Sequence, residues 1–160
     1  MAIRQIMCIY GAAVNRISWK REKGENEMMT KPQVLLVGRG RETPLKEILQ
    51  RSASLAEAGT VPDMVRLLQD GAYDAVLCER EFSDGTWREA LQELQARRVS
   101  TPAIVVSQTS AVDDGIEEWT EVLQAGAFDL LLAPSQEYSV LAVLEHAVES
   151  GKARALRKAG

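Results

Sequence analysis

The sequence predicts an α/β protein built on a doubly wound, five-stranded parallel sheet in a three-layer α/β/α arrangement. Three observations carry that prediction. Short runs of leucine and β-branched residues, such as "QVLLVG" and "TPAIVVS", mark strands buried on both faces. They alternate with segments whose apolar residues recur at helical spacing. The connections between the two kinds of segment are short, as a parallel sheet covered on both sides requires.

Bulk composition narrows the function classes. A chain of 160 residues, 46% hydrophobic, can bury one respectable core. Its net charge of −4 argues against direct nucleic-acid binding. The two cysteines, Cys8 and Cys78, have neither disulfide-framework nor metal-ligand spacing and suit a reducing, cytoplasmic setting. The single histidine, His146, leaves little room for a His-based triad or zinc site. No apolar run approaches the roughly 20 residues of a membrane span. No cofactor, metal or membrane contact is expected.

Residues 1–30 differ from the rest and read as a disordered or wrongly included extension. The opening "MAIRQIMCIYGAAVNR" has a basic start and a short apolar run, but no small-residue cleavage site follows it. Lys23-Gly24-Glu25 can be encoded by a ribosome-binding sequence just upstream of Met28 and Met29, so the expected natural start is one of these two. Residues 1–27 hold five basic and three acidic side chains; without them 14 basic and 20 acidic remain, about −6.

The domain is expected over 31–150. After the first strand, "TPLKEILQRS" places Leu45, Ile48 and Leu49 on one helix face, with Pro44 in the first turn. "SLAEA" is the weakest strand signal. "TVPDMVRLLQDG" is a helix with Thr60 as cap, Met64, Val65 and Leu68 inward, and Gly71 as terminator. "DAVLCE" is the third strand. In "TWREALQELQARR", Trp87, Ala90, Leu91 and Leu94 fall at i, i+3, i+4 and i+7, a core stripe. "DDGIEEWTEVLQAG" should turn Ile116, Trp119, Val122 and Leu123 inward. "FDLLLAP" is the fifth strand, and "SQEYSVLAVLEHAVESGKARALRK" is a final helix expected to fray into a basic tail over 151–160.

In such sheets function gathers outside the carboxyl ends of the strands. Those ends deliver Gly38-Arg39, Glu79, Ser107 and Ala133-Pro134.

The order and spacing of these segments resemble the receiver domain of bacterial response regulators over about residues 33–150. "GAYDAVLCE" is similar to the family's phosphoacceptor strand, "TPAIVVS" to the strand ending in a switch hydroxyl, and "VLQAGAFDLLLAP" to its "GA…Lys-Pro" signature. The resemblance implies a flavodoxin-like strand order 2-1-3-4-5 and a role in two-component, phosphorelay-type signalling. It places the Mg²⁺-binding acidic pair on Gly38 and Arg39 and the phosphoacceptor Asp on Glu79. It places the phosphoryl-contacting Lys on Ala133 and the switch aromatic on Leu130. Ser107 alone is intact. Phosphoryl transfer depends on positioning and charge neutralisation. A lone carboxylate beside Arg39 is a poor Mg²⁺ site, because hard cations need several oxygen ligands.

The expectation is therefore a degenerate, pseudo-receiver module without catalysis, acting through a protein partner or homodimer. The expected crest is a cluster of Glu79, Arg39 and Ser107 that fixes one state. The face formed by the fourth helix, fifth strand and fifth helix, with Val140, Val143 and Ala147, is the candidate interaction surface. Two alternatives stand beside this: phosphorylation at Glu79, or binding of a nucleotide or small anion by the Gly38–Thr43 loop. That loop lacks the third glycine of a dinucleotide fingerprint, since Thr43 stands there.

Overall fold

The computed structural model describes residues 31–40, 43–108, 112–134 and 136–159. The expected extension over 1–30 and its start site at Met28 or Met29 lie outside these residues.

Strands β1 (Gln33–Val37), β2 (Ser54–Ala58), β3 (Ala75–Glu79), β6 (Ala103–Ser107) and β7 (Asp129–Leu132) form one parallel sheet in the order β2-β1-β3-β6-β7. Numbered as sheet strands, this is the expected 2-1-3-4-5. The weak "SLAEA" signal is a true strand, in register with all of β1 from Gln33↔Ser54 to Val37↔Ala58. Its half-exposed pattern explains the faint signal: this edge strand buries only Ala58 fully, where the central strands β3 and β6 are buried throughout.

Helices α1 (Thr43–Ser52), α2 (Val61–Asp70), α3 (Trp87–Ala96), α4 (Val112–Gln124) and α5 (Glu137–Ala159) cover both faces. The period-two geometry of strands divides the core cleanly. Val34 and Leu36 join Leu45, Ile48, Leu49, Val140, Val143 and Leu144 under α1 and α5. Leu35 and Val37 join Met64, Trp87, Leu91, Leu94, Trp119 and Val122 under α2, α3 and α4.

Three sequence expectations are corrected. Val140, Val143 and Ala147 are core, at 1%, 6% and 0% exposed, so they form no interaction face. The broad apolar surface of α5 is needed because it packs on β3, β7 and α1, sharing one side of the sheet with α1. Ile116 is not inward but 43% exposed. Glu118, Trp119 and Val122 define the buried arc of α4, and Ile116, about 60° of helix rotation beyond Trp119, lies outside it. Finally, α5 does not fray after 150 but remains helical to Ala159.

A two-stranded hairpin, β4 (Glu81–Phe82) and β5 (Gly85–Thr86), was not foreseen. It links β3 to α3 and is tied down locally. Phe82 is buried, Trp87 N–H bonds the Arg80 carbonyl at 3.1 Å, and Asp84 accepts from the Val61 amide that begins α2 at 3.1 Å. Thr60 caps the same helix, its Oγ1 accepting from Asp63 N–H.

Candidate functional site at the sheet crest

The parallel register brings four strand ends side by side. Val37 pairs with Cys78, which sets Gly38 beside Glu79. Glu79 pairs with Val106, and the Arg80 amide bonds the Val106 carbonyl at 3.0 Å, which sets Ser107 alongside. The Ala133 amide donates to the Ser107 carbonyl at 2.7 Å, adding the end of β7. Gly38, Glu79, Ser107 and Ala133 therefore line one crest, as their positions in the sequence require.

Glu79 is buried, 7% exposed, and its carboxylate folds back over Gly38. The space that a Cβ at residue 38 would need is filled by the Glu79 side chain. Glycine is demanded twice, because the backbone there also has a φ of +152°. The Arg39 amide donates to Glu79 Oε2 at 2.8 Å, and the Arg39 side chain is exposed. The expected Glu79–Arg39 contact thus runs through the backbone.

Ser107 differs more. Its Oγ donates to Glu118 Oε2 on α4 at 2.8 Å. Glu118 is 8% exposed, and its Oε1 stands 3.4 Å from Arg80 Nη1, the residue directly after β3. The crest therefore carries two polar arrangements, Glu79 with Gly38–Arg39 and Ser107 with Glu118 and Arg80. Sequence reasoning missed Glu118 and Arg80. The available signal was the spacing of Glu118 on the Trp119–Val122 stripe, where an acid must have partners to be buried.

The remaining positions are apolar. Leu130, where the resemblance places a switch aromatic, is 1% exposed in the core beneath α4, and Ala133, where it places a lysine, is 8% exposed. In the Gly38–Thr43 loop, residues 41 and 42 lie outside the described set, so the ligand-binding alternative rests on Arg39 and the glycines. Cys78 is fully buried and desolvation pushes its thiol up to about 12, which leaves it inert at neutral pH.

The residues present do not fit a Mg²⁺ ion. Gly38 offers no side-chain oxygen, Arg39 brings positive charge, and Glu79 is one carboxylate already engaged by an amide. Among the described residues no three His, Cys, Asp or Glu side chains gather as a metal site, and no helix is long and apolar enough to cross a membrane.

A doubly wound, flavodoxin-like sheet with a polar cluster on its carboxyl crest defines the class of protein. Solved structures specify it further: the chain has the fold of response-regulator receiver domains. It is similar to the receiver domain of the Francisella response regulator 1452, with TM-score 0.63 and 17% identity over 75% of this chain and 98% of that one. It is also similar to a CheY-like receiver domain protein from Methanospirillum hungatei, with TM-score 0.62 and 16% identity over 78% and 99%. The chemotaxis response regulator CheY4 of Vibrio cholerae matches with TM-score 0.60 and 18% identity over 74% and 99%. No family model and no curated protein matches the chain by sequence.

Proposed function

We propose that this chain is a receiver-like signalling module of the response-regulator type that works without phosphorylation, through contact with a protein partner in the cytoplasm. One observation carries the reading: the Glu79 carboxylate lies over Gly38 and is held by the Arg39 amide at 2.8 Å. The crest position of a phosphoacceptor is thus occupied by a side chain already bonded to the chain's own backbone. Neither Gly38 nor Ala133 supplies the oxygen or cation that phosphoryl transfer uses to neutralise charge. A single carboxylate is also a weak substitute for a phosphoryl dianion, so its role is to fill and fix the crest.

With no chemistry at the crest, output passes through surface shape. The partner surface in this reading is the outer side of α4 and α5, where Ile116 and Tyr138 are exposed, and not the buried α5 stripe.

Incubation of the full chain with acetyl phosphate and Mg²⁺, followed by intact-mass measurement, tests the reading. An unchanged mass is expected. A single phosphoryl adduct that Glu79→Ala removes would overturn it and favour phosphorylation at Glu79.

A further inference from the structure

We infer that Glu118 is a latch that fixes α4 against the ends of β3 and β6. One buried carboxylate reaches two elements at once. Oε2 accepts the Ser107 hydroxyl at the last residue of β6, at 2.8 Å. Oε1 faces the Arg80 guanidinium just after β3, at 3.4 Å. Glu121, one turn further along α4, pairs with Arg88 of α3, whose guanidinium also lies 4.6 Å above the Trp87 ring. Arg80 and Arg88 flank the β4–β5 hairpin, and the hairpin is anchored by Phe82 and Asp84. Glu118 and Glu121 are therefore met from a side that is itself held in place.

Burial gives the Ser107–Glu118 contact its weight. Glu118 is 8% exposed and Ser107 1%, so a hydrogen bond to a charged acceptor forms away from competing water. Breaking this bond costs more than losing a surface contact, because water does not reach either group to replace it. The Arg80 arm is different, because that guanidinium is 58% exposed and is screened by solvent. The latch thus has a strong inner arm to β6 and a weaker, reachable outer arm to β3. It deepens the reading above, on which its meaning rests: it names the contacts that set the position of α4.

Amide hydrogen exchange on the full chain tests it. Ser107→Ala and Arg80→Ala should each speed exchange of the α4 amides, the former about tenfold or more and the latter less, with β1 and β3 unchanged. Glu118→Ala should give the largest effect, and if it fails to fold the two partner variants still decide. Unchanged α4 exchange in either partner variant, or a parallel rise in β1 and β3, would overturn the latch. An acyl phosphate on Glu79 would overturn the proposed function and leave this exchange pattern as it stands.

Discussion

The Glu79 side chain fills the space that a Cβ on residue 38 would need, so these two positions specify each other. Glycine at 38 permits a glutamate at 79 to fold back over the β1 end, and the Arg39 amide then holds it at 2.8 Å. A two-residue substitution pattern seen in isolation as two losses is, in three dimensions, one packing arrangement.

That coupling predicts a non-additive pair. Gly38→Ala should destabilise the fold by about 2 kcal/mol or more, through the clash with Glu79 and the unfavourable φ. In a Glu79→Ala background the same change should cost less by about 1 kcal/mol or more, since the clash is gone and the backbone strain stays. Denaturant unfolding of the four proteins in this cycle measures it, and strictly additive costs would refute the packing account.

The correction on α5 yields a second prediction. Val143, 6% exposed on the sheet-facing side of α5, should not tolerate charge: Val143→Asp is expected to cost about 4 kcal/mol or more. Tyr138→Asp, at a site 57% exposed, should stay within about 0.5 kcal/mol. Thermal or chemical unfolding separates the two, and near-equal effects would show that Val143 is not core.

The start of α3 offers a third. Thr86 and Glu89 form a capping box: Glu89 accepts from the Thr86 amide at 2.8 Å and from its hydroxyl, while Thr86 Oγ1 accepts from the Arg88 amide. Thr86→Ala should cost about 1 kcal/mol. These hydrogen bonds, the side-chain one foremost, hold the Glu89 carboxyl below its ordinary pKa. A depressed folded-state pKa contributes stability above the unfolded value and loses it as pH falls through the folded one. Glu89→Gln should therefore trail the parent at neutral pH and converge with it in acid. Because Glu89 is almost fully exposed, the gap should be small.

What was legible in the sequence follows from which forces are local. Strand runs such as "AIVVS" declare themselves because both faces of a central parallel strand are apolar, and the crest residues followed from the strand ends. The β4–β5 hairpin was not legible: its strands have two residues each, too few to show a period, and it is held by Phe82 burial and by Asp84 reaching α2. The polar wiring was also hidden. Ser107 has Glu118 as its partner 11 residues away, and nothing in either residue's neighbourhood names the other.

Cys78 gives the last prediction, from burial alone. It sits within β3, 0% exposed, and desolvation lifts its thiol from the ordinary 9.0 to about 12. A raised folded-state pKa contributes stability that is complete below the unfolded value and is lost as pH rises toward the folded one. Between about 9 and 12 the unfolded chain ionises while the folded thiol resists, and this group should remove up to about 1.4 kcal/mol of stability per pH unit. Tyrosines and lysines titrate in the same window, so the comparison is with Cys78→Ala, whose stability should fall less steeply with alkali. In a Cys8→Ser background, a thiol reagent at neutral pH should label Cys78 only as fast as the sheet opens. Labelling at the rate of a free thiol under native conditions would mean that β3 is not the closed centre of the sheet.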